Sequence, residues 1–432
     1  MDKFEWYSEF VDRKYAPKSN EIKALFYFEP SDGISVDDVV GRLASESSTG
    51  TWTTLARMPK LMEKLKAHAY WHDKNYVKIA YPIALWEEGS IPQLIAGIGG
   101  NIFGMKAVAS LKLLDAELPL TYIKNFRGPN YGRDAIRRIF KKKKGPITSV
   151  VPKPKVGFTA REHAEVAYEI WKGGFDCVKD DENLTSQNFN RLSERVRLLA
   201  RMRDRAERET GEIKDAFINV TAPNLKELEK RIRVVHDAGF RYFMLDVVIS
   251  GFTAVQTATE LAHDLDMAIH GHRAMHAMFT RKEHGMSMLF LAKLMRLIGI
   301  DQLHIGTVIG KLQGAKSEIL AIKEMICEKE VGEIENMRMP QKWGKIKPML
   351  PVASGGLHPG ILPEIFNIYG TTDIVIQVGG GTLGHPKGVE AGVKACMQAI
   401  EAYSTGISLE EYAKNHDELR LALDKWGHVK PI

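Results

Sequence analysis

The segment GGFDCVKDDENLTSQNF (residues 173–189) closes a short apolar run with one amine, Lys179, followed by Asp180, Asp181 and Glu182. Taken alone, such a run is most often a solvated charge cluster. If the apolar run is a strand, residues two apart share a face, so Lys179 and Asp181 point the same way. Glu182 joins them only if the chain turns there, which Asn183 permits. Carboxylates with no nearby His or Cys suit a hard cation such as Mg²⁺, which takes about six oxygens. An ammonium beside that cation would be repelled. A desolvated lysine, however, gives up its proton readily, and a neutral amine takes up CO₂ as a carbamate, itself an oxygen ligand. Lys179 is thus readable as a salt-bridge partner or as the precursor of a third anionic ligand.

A second constellation handles anions. SGG (residues 354–356) and GGG (residues 379–381) each follow an apolar β-branched run, where backbone N–H groups can cradle a phosphate, although such glycines also make simple turns. HIGTVIGKLQG (residues 304–314) places Lys311 in a Gly-flanked loop. It reads as a solvated lysine or as a mobile lid bringing charge to a developing anion. Among His270, His272, His276 and His304, one or two can be packed core residues, and His276 most resembles one.

These residues need elements to hold them. A chain of 432 residues exceeds one ordinary core and implies two domains or a large barrel with additions. Apolar residues at 44% and charged residues at 26% describe a globular protein. No apolar run approaches the roughly 18 residues of a membrane span. The opening MDKFEWYSEF lacks a signal peptide's apolar stretch. The three cysteines, Cys177, Cys327 and Cys396, are far apart, which fits reduced thiols and argues against a zinc site. A cytoplasmic location is therefore expected. The net charge of +6 suits an anionic small substrate. The basic patch RRIFKKKK (residues 137–144) lacks interleaved aromatics and reads as a solvated helix end rather than a nucleic-acid site.

Up to about residue 126, strand and helix alternate irregularly: ALFYFEP, a helix opened by Ser35, VKIAYPIALW, a Gly-rich turn in SIPQLIAGIGGNIFGM, and AVASLKLLDAEL as helix or strand–turn. This predicts an N-terminal α+β domain (1–126) and a connecting helix or linker (127–145). From residue 146 the runs TSVVPKPK, FDCVKDDE, AFINVTAPN, YFMLDVVIS, MAIHGHRAMH, QLHIGTVIGK, LPVASGGLHP and IVIQVGGGTLGHP each precede a helical stretch. Their count and spacing predict a (β/α)₈ TIM barrel (146–390), followed by a helical C-terminal extension (391–432). Each run is apolar at its start and polar or glycine-rich at its end, the end where this fold carries its chemistry. That agreement shifts the KDDE run away from a surface cluster.

As a set, the motifs resemble the large subunit of ribulose-1,5-bisphosphate carboxylase/oxygenase (RuBisCO), across nearly the whole chain. The resemblance implies that Lys179 carries an activating CO₂ as a carbamate, which with Asp181 and Glu182 would hold Mg²⁺. ESSTGTWTT (residues 46–54) and GGNIFGMKA (residues 99–107) are similar to segments that reach a neighbouring subunit's site, implicating Glu46, Thr51, Trp52 and Asn101. PKPKVGF (residues 152–158) resembles the segment of the catalytic lysines, with Lys153 as acid/base and Lys155 binding substrate. HGHRAMHA (residues 270–277) implies His272 as a catalytic histidine and Arg273 as a phosphate ligand. By the same resemblance His304 binds substrate, and Lys311 steadies the carboxylation transition state. Ser354, Gly356, Gly379 and Gly380 would bind substrate hydroxyl and phosphate.

HGHR and HIGT stand where plant enzymes have HIHR and HSGT, and the C-terminal tail is short. With SGGLHP, these variants resemble the archaeal form III group or its form II/III relatives. The resemblance therefore implies carboxylation, with competing oxygenation, of ribulose-1,5-bisphosphate in AMP or nucleoside salvage. It also implies a homodimer with shared sites, as a dimer alone or in rings of dimers, with no small subunit. A RuBisCO-like isomerase that enolises without fixing CO₂ is the alternative, but such relatives lack several of the residues present here. A nucleic-acid-binding protein using RRIFKKKK would leave the eight strand ends unexplained.

Overall fold

The strands that carry the polar ends are short and buried on both sides, as continuous runs of apolar and β-branched residues dictate for a parallel sheet covered by helices. The computed structural model describes residues 5–51, 53, 55–309 and 315–430. The chain divides into two units, one formed by residues 1–128, 275–298 and 328–346, the other by 129–274, 299–327 and 347–432.

The second unit holds an eight-stranded parallel sheet. In chain order the strands are Ile147–Val150, Cys177–Lys179, Asp215–Phe217, Tyr242–Asp246, Ala268–His272, Gln302–His304, Leu350–Ser354 and Val375–Val378. The first pairs with both the second and the eighth, so the two ends of the unit's sequence meet. Between the third and fourth, Met244 N donates to Ile218 O (2.8 Å) and Val220 N to Met244 O (3.0 Å), closing the ring. Ile147, Cys177, Phe217, Tyr242, Leu350 and Val375 form the interior with Ile136 and Phe140. The helix Gly132–Ile139 thus contributes to the barrel's core rather than standing in solvent. Two cations of the basic patch are tied down as well, Arg137 to Asp373 (2.5 Å) and Lys142 to Asp176 (2.6 Å).

The helices have sequence-encoded ends. Thr159 and Glu162 form a capping box on Ala160–Lys172. Asn224 caps Leu225–Asp237 by accepting from Glu227 N. Gly211, in the left-handed region at φ 71°, stops Leu192–Thr210. The C-terminal part continues as Val389–Thr405, Leu409–Ala413 and Asp417–Trp426.

The first unit is a five-stranded sheet in the order Gly285–Met286, Val108–Glu117, Ile22–Pro30, Tyr76–Tyr81, His68–His72. AVASLKLLDAEL is thus a strand. Its apolar spacing fits either period, and antiparallel pairing with Ile22–Pro30 settles it. Where a Gly-rich turn was expected, Ile91–Ile98 is helical, because Ser90 accepts from Gln93 N as N-cap and Pro92 sits in the first turn. A fully buried ion pair, Lys293–Asp115 (2.6 Å), ties the helix Met288–Ile298 to the sheet. No helix among the described residues is long and apolar enough to cross a membrane. The three cysteines are free and buried.

Candidate active site

Lys179 is the last residue of the second barrel strand and is completely buried. Its Nζ donates to Asp180 O at 2.7 Å. Desolvation pulls its pKa below the ordinary lysine value, against the raising effect of Glu182, Asp246, Asp181 and Asp180. Past Lys179 the chain turns, with Leu184 N donating to Asp181 O, which allows Asp181 and Glu182 to be presented together. Asp181 Oδ2 accepts from Lys153 Nζ (2.8 Å), and Oδ1 from Asn183 N (3.1 Å) and Nδ2 (2.9 Å).

Asp180 is held apart by Arg195, whose Nε and Nη2 donate to Oδ2 at 3.1 and 2.9 Å, with His163 Nε2 3.2 Å from Oδ1. Burial alone would raise this carboxyl, but Arg195 and His163 bring it down to about 2.

A cleft of about 670 Å³ opens at the C-terminal ends of the strands. Lys153, Lys155, Glu182, His272, His304, Ser354, Gly356, Gly379 and Gly380 all line it. Lys179 and Asp181 are buried beside Glu182 on the same turn. His272 Nδ1 lies 3.0 Å from Asp246 Oδ1, and its Nε2 faces Glu182 Oε2 at 3.7 Å. Ala274 N also lies 3.2 Å from Nδ1, but the shorter contact is with the Asp246 carboxylate, which only accepts; a proton on Nδ1 for that bond leaves Nε2 as the base facing the acidic turn. Burial, then the Lys179 charge, lowers the pKa of His272.

His304 Nδ1 lies 2.7 Å from Ser354 Oγ, and its Nε2 lies 2.8 Å from His270 Nε2. His270 Nδ1 is 2.9 Å from Gln302 Oε1, and Gln302 Nε2 donates to Tyr242 Oη at 3.2 Å. Arg273 is buried at the end of the fifth strand, and desolvation lowers its pKa to about 10.

The glycine loops fit against each other. A Cβ on Gly381 would stand 2.3 Å from Leu357 O, so the loop after the eighth strand can lie on that after the seventh only as glycine. A Cβ on Gly379 would meet Lys153 Cε at 3.3 Å, which puts the first and eighth strand ends side by side. A cradle this tight is suited to an anion taken by backbone amides with a lysine at hand.

Glu46, Thr51 and Asn101 belong to the first unit. Glu46 ends the helix Val36–Glu46, and the turn after it is pinned by Ser47 Oγ against Tyr81 Oη (2.9 Å) and by Gly50 N donating to Ser45 O (2.8 Å). Trp52 and Lys311 lie outside the described residues.

The family model of the ribulose bisphosphate carboxylase large chain, catalytic domain, matches residues 133–426, and that of its N-terminal domain matches residues 9–122. The chain belongs to the ribulose bisphosphate carboxylase large-chain family. Carboxylases of Pyrococcus abyssi and Archaeoglobus fulgidus are 48% and 46% identical over 434 and 443 residues, covering 99% and 100% of this chain and the same shares of theirs. The dimeric archaeal Rubisco of Hyperthermus butylicus superposes with a TM-score of 0.93 at 50% identity, covering 98% of this chain and 100% of that one. The octameric Rubisco of Pyrococcus horikoshii, solved with sulfate, gives 0.91 at 47%, covering 98% and 97%.

The carboxylase family's fold explains residues that the sequence did not single out. Asp246, Asn219, Arg195 and Gln302 orient others, and Gln377, His358 and Trp426 complete the cleft wall. Most of their partners lie on other elements of the fold, so no local pattern marked them. Among the described residues no three His, Cys, Asp or Glu side chains are disposed to hold a metal ion. Asp181 and Glu182 fit as two oxygen donors for a hard cation, and a buried lysine of lowered pKa is the group able to become a third.

Proposed function

We propose that this chain carboxylates ribulose-1,5-bisphosphate, with oxygenation as a competing outcome, yielding two 3-phosphoglycerates from CO₂. The observation that carries this reading is the convergence of Lys153, Glu182, His272, His304, Ser354 and two glycine loops on one cleft above the buried Lys179. The relatives named above carry the activity in their names. In this proposal Lys179 takes up CO₂ through its neutral amine, losing one proton, and joins Asp181 and Glu182 as the oxygen donors for Mg²⁺. The bound cation would supply charge stabilisation for an enediolate.

The chain's own residues supply the rest. The glycine loops and Arg273 hold the two phosphates, and Lys155, which lines the same cleft, binds substrate beside them. Ser354 and His304 orient the sugar hydroxyls. His272, with Nε2 bare and Nδ1 anchored on Asp246, receives or returns a proton at the carbon skeleton. Loss of the C3 proton gives the enediolate, whose C2 attacks CO₂. Water adds at C3, the C2–C3 bond breaks, and Lys153 delivers the last proton. Lys311 would close over the forming carboxylate.

Glu46, Thr51, Trp52 and Asn101 act in the facing site of a homodimer, with no small subunit, in a cytoplasmic route of nucleotide salvage. Support for the homodimer comes from archaeal relatives, among them a dimer and an octamer.

The test is incorporation of labelled CO₂ into acid-stable product after preincubation with CO₂ and Mg²⁺, beside Lys179→Ala. Incorporation that needs preincubation, is abolished by chelator and vanishes in the variant is expected. Enolisation of the bisphosphate without incorporation by folded wild type would overturn the carboxylase reading.

A further inference from the structure

The row Ser354–His304–His270–Gln302–Tyr242 runs from the cleft into the barrel interior, and its last three residues are not part of the cleft wall. Each link constrains the next. Gln302 stands with its NH₂ on Tyr242 Oη and its Oε1 toward His270. An amide oxygen only accepts, so His270 carries its proton on Nδ1 and is bare at Nε2. The Nε2–Nε2 contact of 2.8 Å needs one proton, and it must come from His304. His304, protonated at Nε2, is then bare at Nδ1 and accepts from Ser354 Oγ–H. Burial holds both imidazoles well below their ordinary pKa, so each has a single proton to place. Phe217 stacks on His270 with ring centroids 4.2 Å apart and 10° between planes, which prevents the ring from turning.

We propose that Gln302 and Tyr242 are positioning residues that fix the hydrogen-bonding direction of this row, so that Ser354 meets the ligand as an acceptor for a hydroxyl. With its proton committed to His304, Ser354 Oγ presents lone pairs to the cleft. It receives a hydroxyl donor and repels a phosphate oxygen or a carbonyl. If the amide turned over, every proton in the row would reverse, and Ser354 would become a donor. A residue two imidazoles from the cleft therefore sets which functional group is taken at Ser354. The inference rests on the bisphosphate reading only for its kinetic consequence.

Neutron diffraction from deuterated wild-type crystals without substrate reads the row directly. Deuterons on His270 Nδ1 and His304 Nε2, with the Ser354 deuteron toward His304, are expected. A deuteron on His304 Nδ1 would overturn the proposal, whatever the enzyme's activity. The variants read the consequence. Gln302→Leu removes the acceptor that orients His270. The KM for ribulose-1,5-bisphosphate should rise roughly tenfold, the cost of a mispaired buried hydroxyl, with kcat changing less. Gln302→Glu, kept protonated by burial, still offers an oxygen to His270 and an O–H to Tyr242, and should restore KM to near the wild-type value. An unchanged KM in Gln302→Leu, or an equal rise in both variants, would sink the link from Gln302 to Ser354. If the Leu variant does not fold, the Glu variant and the deuteron positions still decide. Failure of wild type to fix CO₂ would count against the carboxylase reading alone.

Discussion

Within the KDDE run Glu182 lines the cleft, and Asp180, which does not, has the most elaborate partners. Arg195 is fully buried and also donates to Asn190 O, Asn190 Oδ1 and Thr185 O, so one guanidinium clamps the turn on which Asp181 and Glu182 sit. Arg195→Met removes the guanidinium from a buried carboxylate and leaves it His163 and the Asn219 N–H, and breaking such a buried pair costs up to about 3–5 kcal/mol. Urea unfolding should register that loss. A loss under about 1 kcal/mol would mean that the turn is held by the backbone instead. The acidic run was legible in the sequence only beside the other strand ends, since alone it reads as a solvated charge cluster. Arg195 was not, since a helix arginine looks solvated until the helix is packed. His272 was legible from HGHR, but Asp246, which decides which nitrogen of His272 is bare, lies on another strand.

At the scale of elements, the eight barrel strands could be read because each passes from an unbroken apolar run to polar residues. Val108–Glu117 and Ile91–Ile98 were harder: the first has apolar spacing that fits two periods, and glycines mask the second. The last segment of the chain could be read only as the end of a helical extension, and the structure makes it a strap. Trp426 lines the cleft, His358 Nε2 lies 2.8 Å from Val429 O, and His428 joins Gly360 O (2.7 Å) to Glu410 Oε1 (2.7 Å). Its pH response has a definite sign. Hydrogen bonding to Glu410 raises the pKa of His428, so that contribution is complete below the unfolded histidine value and is lost as pH rises through the raised one. The same contact lowers Glu410, whose contribution fails as pH falls through its lowered value. With side chains 57% and 65% exposed, the effect is confined to the strap. Hydrogen-exchange protection at residues 426–430, relative to the intrinsic rate at each pH, should be greatest between those two limits. His428→Gln should flatten its alkaline side, and a pH-independent strap would refute the clasp.

For the molecule as a whole, the proposed sharing of sites makes activity a property of the dimer. Specific activity should fall on dilution in step with dimer dissociation, followed by sedimentation, and mixing inactive Glu46→Gln with inactive Lys179→Ala should recover part of the activity. Full activity in dilute monomer would remove Glu46 from the mechanism. The large architecture was legible where periodicity is local. The return of residues 275–298 and 328–346 to the first unit was not, because only three-dimensional packing brings them there.

The pairing of Ile147–Val150 with Val375–Val378 has a consequence for how the protein is made. On the ribosome, the strand that leads to Lys153 emerges more than two hundred residues before the strand that leads to Gly379, its neighbour in the finished ring. During that interval the growing sheet keeps an open edge of unpaired backbone, the feature that invites pairing with other chains. The first sheet waits too, since its edge strand Gly285–Met286 is translated long after Val108–Glu117. Production of active enzyme should therefore depend on help during translation more than its final stability would suggest.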